Sequence, residues 1–346
     1  MNRDRRRLLR TALALPAAAL ASACRRPRPA TPVFDAHAHL FGSGDAGSGC
    51  FLSDTQRQHW NHGFLLRLLD MTEGQRMDET YVDRLLAQLA ASPVQRALLF
   101  AQDGRYDRNG ELDRGNTHVF VPNDWLFAVC ARAPGRLLPC ASINPKRRDA
   151  LAEAARCRQR GARAVKVHPP TQDCDPADPA YRPFWRKLAE LGLVLIVHTG
   201  TEHSSPVTGF DACDPAHLEP ALQEGCTVVA AHAGFGSFLD DRDFFASLQD
   251  LVRRYDRVYC DTAVLASTFR WRNLPRLLAD PAVLARTIHG SDWPFPANPA
   301  VFWNRVAPGD QWQLLGEGNL FARDVGLKQG LGVPAEVFTR GAELFA

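Results

Sequence analysis

The sequence predicts an α/β fold, a single (β/α)8 TIM barrel over residues 33–346, and three observations predict it. From Val33 onward, short apolar strands alternate with amphipathic helical stretches, the pattern of parallel strands joined by crossover helices. Eight strands can be read, over 33–38, 96–101, 137–143, 162–168, 193–198, 227–232, 257–262 and 286–291, and eight is the number that closes such a barrel. Chemically capable side chains recur at the C-terminal ends of five of them: His37 and His39, Lys166 and His168, His198, His232 and Asp292. Active sites of these barrels lie at that rim, so two independent inferences meet there. A doubly wound open sheet is the competing fold. No Gly-x-Gly-x-x-Gly follows a strand, however, and the polar series spans the whole chain.

Taken in chain order, residues 1–23 read as an address rather than as structure. Asp4-Arg5-Arg6-Arg7-Leu8-Leu9-Arg10 precedes an Ala- and Leu-rich stretch from Thr11 to Ala23, too short to cross a bilayer as a helix and suited to a signal-peptide core. Arg5-Arg6-x-Leu-Leu-Arg resembles the twin-arginine export signal. Ala21-Ser22-Ala23 is a small-residue cleavage site, and Cys24 after it is a candidate for lipid attachment, although Ala21 stands where a lipobox usually has Leu. The expectation is an exported protein, periplasmic or held at the membrane as a lipoprotein, with residues 24–32 as an Arg/Pro-rich linker. A basic tail on a cytoplasmic enzyme is the alternative.

The first strand ends in His37-Ala38-His39. Side chains two apart on a strand share a face, so both imidazoles can reach one metal ion. A long stretch follows, Gly42 to Asp78, opening on Gly42-Ser43-Gly44-Asp45-Ala46-Gly47-Ser48-Gly49 and including a short helix over 64–70. Long loops in compact domains are functional or disordered, and this one is a candidate mobile lid over the barrel mouth. Helices are expected over 79–91, 148–160, 183–191, 216–224 and 241–255, with Gly161, Gly192 and Gly225 placed as helix C-caps.

Charge excludes one class of partner. The chain carries 41 Lys and Arg against 38 Asp and Glu; without the five Arg and one Asp of residues 1–23, 36 face 37. No basic face remains for nucleic acid, so the expected partner is a small-molecule substrate. The only membrane contact expected is through the export signal or Cys24, and assembly into a homo-oligomer stays open. Eight cysteines lie beyond Cys24 without a Cys-x-x-Cys pair, several inside apolar runs. They read as small buried hydrophobes, with no disulfide framework.

Phe34-Asp35-Ala36-His37-Ala38-His39, Val165-Lys166-Val167-His168-Pro169, Val197-His198-Thr199-Gly200, Ala231-His232-Ala233-Gly234 and Gly290-Ser291-Asp292-Trp293-Pro294, in this order, resemble the strand-end motifs of the amidohydrolase superfamily. The likeness is to its amidohydrolase-related group, which includes aromatic-acid decarboxylases. The resemblance implies one divalent metal ion, Zn2+ by expectation, on His37, His39, His198 and Asp292. Asp292 would act as general base on a metal-activated water, and His232 would orient that water or stabilise an oxyanion. Lys166, His168 and His232 are candidates for a second metal, if Lys166 is carboxylated, or for substrate contact. One metal is favoured. Glu202, His203, Trp293 and Phe295 are expected to shape the pocket. The leading function is hydrolysis of an amide, lactone or similar carbon; the alternatives are a non-oxidative carboxy-lyase and a non-catalytic exported binding protein.

Overall fold

A computed structural model describes residues 32–207, 209–240 and 242–346. The export signal, Cys24 and the linker save for Pro32 lie outside the described residues. The eight strands are β1 Val33–His39, β2 Val94–Phe100, β3 Leu137–Ser142, β4 Ala164–Val167, β5 Val194–His198, β6 Val228–Ala231, β7 Val258–Asp261 and β8 Thr287–Ile288. They form one parallel sheet in chain order. β8 returns to β1 through Ala36 N–His289 O at 2.9 Å, Asp292 N–His37 O at 2.8 Å and His39 N–Trp293 O at 2.9 Å, which closes the barrel.

Both faces of each strand are buried, so the strands read as nearly continuous apolar runs. One alternate set packs inside: Phe34, Leu98, Phe100, Cys140, Ala164, Ile196, Val229 and Ile288 share the interior cluster. The other set, among it Ala97, Leu99, Val165, Leu195, Val228 and Cys260, packs outward against the helices. The barrel floor is plugged by the C-terminus, where Phe345 stacks on Phe34 at 5.7 Å. The helix Ala335–Leu344 lies so close to β1 that a Cβ at Gly341 would meet Phe34 at 2.6 Å.

Each expected helix is present, with shifts of a few residues at its ends. Met77–Ala90, Ala150–Gln159, Arg182–Glu190 and Phe245–Arg254 are α-helical, while 216–224 divides into a 3-10 turn, Pro215–Leu218, and the short helix Glu219–Gln223. Gly161, Gly192 and Gly225 take the left-handed conformation, at φ +92°, +63° and +97°, as C-caps require.

The Gly-rich start of the long β1–β2 connection is tied down rather than free. The Asp78 carboxylate accepts from Ser43 N at 2.6 Å and Gly44 N at 3.0 Å, and also from Ser48 Oγ. Asp45 in turn accepts from Met77 N at 2.7 Å. The connection goes on as two helices, Asp54–Gln58 and Trp60–Leu68, which cover the barrel mouth. Gln56 and Asn61 donate to Ser204 O at 3.3 and 3.1 Å, and Ser205 Oγ donates to Gln56 Oε1 at 2.8 Å.

Candidate metal centre

Strand parity alone would turn His37 and His39 to the wrong face. Asp35 pairs with Ala97, which packs outward, whereas His39 pairs with Phe100 of the interior. The change of face comes from a register shift between Asp35 and Ala38, a bulge that re-aims side chains at a strand end. Beyond it, His37 and His39 enter the barrel top and their rings lie 5.1 Å apart. Tyr81 Oη holds the turn by donating to His39 O at 2.8 Å.

Three donor atoms converge there. His37 Nε2 lies 3.2 Å from His39 Nε2 and 2.9 Å from Asp292 Oδ1, and His39 Nε2 lies 3.0 Å from the same oxygen. Asp292 holds its place in the left-handed region, φ +66°, with its amide bonded to His37 O. The other nitrogen of His37, Nδ1, lies 2.7 Å from Asp261 Oδ2. A carboxylate only accepts, so Nδ1 carries the proton and the Nε2 lone pair faces a second carboxylate. Lone pairs meeting in this way call for a cation between them, either a proton or a metal. Burial opposes charge on His37, but Asp261 and Asp292 outweigh it and raise its pKa. Asp292 is pushed up by burial, yet His37 and His39 hold it well below the usual carboxylate range. The donor set therefore fits a divalent ion.

His198 and His232 stand beside this group. The His232 ring is 4.9 Å from His37 and 4.7 Å from His198. His198 groups with His168 and Glu202, the three offering donor atoms within 4.8 Å of one another. Its Nε2 is buried without a protein partner. Glu202 Oε2 lies 3.4 Å from His168 Nε2 and 3.7 Å from His198 Nδ1. Burial would raise the Glu202 pKa, but these imidazoles hold it well below its usual value. Of the four expected metal ligands, three share one group and His198 belongs to the neighbouring one.

His232 follows β6 in the left-handed region, φ +65°. Its Nδ1 lies 3.3 Å from Ala263 O, which can only accept, so Nδ1 donates and Nε2 is left as an acceptor. Burial keeps the ring neutral, well below the usual histidine pKa. Lys166 is 1% exposed; its Nζ has no hydrogen-bond partner and sits 5.0 Å over the Phe100 ring. Burial lowers its pKa.

A cavity of about 450 Å³ opens over these groups, with His39, His168, His198, Glu202, His232 and Asp292 on its lining. His203 and Phe295 line it too. Trp293 does not: it is fully buried, stacked on Phe321 at 5.6 Å with its edge to Tyr81. This corrects the expectation of a pocket wall, because the backbone turns Asp292 toward the cavity and Trp293 into the packing behind it.

Two functional side chains escaped the sequence reading. Asp261 ends β7 just as the histidines end their strands, and the apolar run Val258-Tyr259-Cys260 before it was the available signal. Arg270 is 6% exposed, lines the cavity, and donates to Phe235 O at 2.8 Å and to Thr201 O. It lies in a loop with no periodic pattern to mark it.

An amidohydrolase family model matches residues 34–313. Among solved structures, the chain is similar to a putative 2-pyrone-4,6-dicarboxylic acid hydrolase from Pseudomonas putida, at 19% identity and TM-score 0.52 over 91% of this chain and 97% of that one. It is similar to 5-carboxyvanillate decarboxylase from Sphingomonas paucimobilis, at 13% identity and TM-score 0.56 over 91% and 99%. A third likeness is to 5-carboxyvanillate decarboxylase from Novosphingobium aromaticivorans complexed with manganese, at 14% identity and TM-score 0.52 over 90% and 93%. At these identities the likeness is one of fold. No protein of curated function matches the sequence.

Proposed function

The chain belongs to the amidohydrolase family, and from that premise we propose a metal-dependent hydrolase acting on an amide, lactone or similar carbon of a small molecule. The observation that carries the proposal is the meeting of His37 Nε2, His39 Nε2 and Asp292 Oδ1 within 3.2 Å at the cavity floor. These three would hold one divalent ion, and His198, whose donor atom groups with those of His168 and Glu202, would have to move toward it to serve as a fourth ligand. Such an ion supplies Lewis acidity to an oxygen of water or substrate.

The chain's own groups supply the rest. Asp292, kept ionised at the cavity lining, accepts a proton from the attacking water and returns it to the leaving group. Neutral His232 presents Nε2 as an acceptor, which suits orienting that water rather than donating to an oxyanion. Asp261 fixes the tautomer of His37 and, through its other oxygen, accepts from His232 N at 2.8 Å, so one carboxylate aligns both rings. The apolar cavity walls limit access of bulk water.

Non-oxidative decarboxylation is the second reading, and the buried Arg270 guanidinium at the cavity favours it as a complement to a substrate carboxylate. The test is elemental analysis followed by a panel of lactones, cyclic amides and hydroxybenzoates, scoring ring-opened acid against carbon dioxide. One metal per chain is expected, and Asp292→Asn should cut turnover by about a thousandfold or more with the fold retained. A metal-free active protein, or unchanged turnover in Asp292→Asn, overturns the proposal. Export by the Arg5-Arg6 signal remains part of it, tested by replacing both arginines with lysine and fractionating the cells; periplasmic protein in that variant removes it.

A further inference from the structure

The mouth of the cavity is walled by large apolar side chains left in solvent. Trp60 is 51% exposed, and Phe64 and Phe269 are also exposed; all three line the cavity as well. Their rings touch, Trp60 to Phe269 at 5.9 Å and Trp60 to Phe64 at 6.4 Å. Outside them, Phe238 is 53% exposed and stacks on Phe269 at 5.6 Å and 7°. Phe238 N is anchored to Phe269 O at 3.0 Å, and Leu239 beside it is exposed too. The apolar surface is therefore one continuous strip, from the cavity walls over the rim to the outside. Soluble proteins rarely expose a contiguous strip of this kind unless something covers it.

The reacting groups gather where the strands end, with His39, His198, His232, Glu202 and Asp292 on the lining; Phe41, Leu65, Val119, Val264 and Phe295 line the cavity too, interspersed with Gln56, Asn61, Thr268 and Arg270. A ligand that satisfies both ends has one polar, reacting head and an apolar body too long for the cavity. Resting on the reading of the floor as the reacting end, we infer that the substrate is an amphiphile: a polar head bearing the scissile group, joined to an extended alkyl or aryl-alkyl body that leaves the mouth across Trp60, Phe269 and Phe238. The occupant of the rim is the substrate's own tail, because the same three rings, Trp60, Phe64 and Phe269, belong to both cavity and strip. The small polar substrates that an enclosed pocket would take have no use for Phe238 or Leu239.

The experiment is calorimetric titration of the metal-loaded protein with butyrate, octanoate and dodecanoate. Affinity should rise along the series by up to about fourfold per buried methylene. Phe238→Ala and Leu239→Ala should weaken dodecanoate, together by about tenfold, and leave butyrate unchanged. Trp312→Ala, at an exposed tryptophan outside the cavity lining, should change neither. Dodecanoate binding no tighter than octanoate, or as tightly to the Phe238→Ala variant, overturns the inference. So does a rim that responds only to phosphatidylcholine vesicles in flotation, or a dimer that Phe238→Ala dissolves without altering the alkanoate series. His39→Ala separates the two readings: an intact chain-length series with unchanged butyrate affinity keeps the amphiphile tail and removes the floor as the head's site.

Discussion

Asp261 shows how much of a candidate metal centre is decided one residue away from it. Its Oδ2 accepts a hydrogen bond from His37 Nδ1–H, and its Oδ1 accepts from the amides of His232 and Ala263 at 2.8 and 3.1 Å. In Asp261→Asn the amide oxygen can keep the two backbone bonds, but the amide nitrogen brings a donor against Nδ1. His37 would then move its proton to Nε2, where it blocks the lone pair facing Asp292. The expected result is a metal affinity lower by about 10–100-fold, with little change in thermal stability. Zinc competition against a chelating dye measures it, and unchanged affinity would show that His37 is no ligand. Asp261 also marks a limit of reading by residue type. Val258-Tyr259-Cys260-Asp261 has the same form as Val228-Val229-Ala230-Ala231-His232, yet a search led by histidine passes over it. The cysteines were simpler: all eight of the described residues are buried and free, as the apolar runs around several of them, Cys140, Cys226 and Cys260 among them, implied for those.

At the scale of elements, legibility follows the range of the forces. Helices and their glycine caps depend on neighbours within a few residues, and they stand where periodicity puts them. The bulge in β1 depends on pairing with β2 some sixty residues on, and no local pattern announces it, although it decides which way His37 and His39 face. The Gly42–Gly49 segment reads as mobile for the same reason: its composition is local, but its anchor is Asp78. Asp78→Ala would leave Ser43 N, Gly44 N and Ser48 Oγ without their acceptor. Each orphaned donor costs about 1–3 kcal/mol if it stays buried, so the segment should instead open to water. Limited proteolysis should then cut within 42–53, where the parent chain resists, and chemical denaturation should report a loss of about 1–3 kcal/mol. Equal resistance of the two proteins would mean that Asp45 and the helix Trp60–Leu68 suffice to hold the lid.

The whole barrel adds a property that no single element carries, because folding buries many imidazoles in neutral form. Burial holds His198, His232 and His289 well below the usual histidine pKa. Below about pH 6.5 the unfolded chain binds protons that these native rings refuse. Their contribution to stability is therefore complete above that pH and is lost as pH falls, by up to about 1.4 kcal/mol per ring per pH unit. Asp324 pulls the other way. Burial pushes its carboxyl up to about 7 against the opposing pull of Lys328, so the folded chain holds that proton more tightly than the unfolded one. Its contribution is complete at pH 4 and below and is lost as pH rises toward 7. His39 and His168 are lowered along with the three rings, and these five outweigh the proton-retaining groups, Asp324 with Asp35, Asp103 and His37, so the melting temperature should fall between pH 7 and pH 5. His289 is the site at which to isolate the effect. It is buried, both ring nitrogens lack hydrogen-bond partners, and its ring packs 4.9 Å from Phe338. His289→Phe should flatten the decline by about one proton's worth. Asp324→Asn, which keeps an acceptor for Lys328 Nζ at 2.7 Å, should steepen it. Equal slopes in His289→Phe and the parent chain would mean that this ring is already protonated in the native barrel, paired with Asp35 or Asp324 at 3.9 Å.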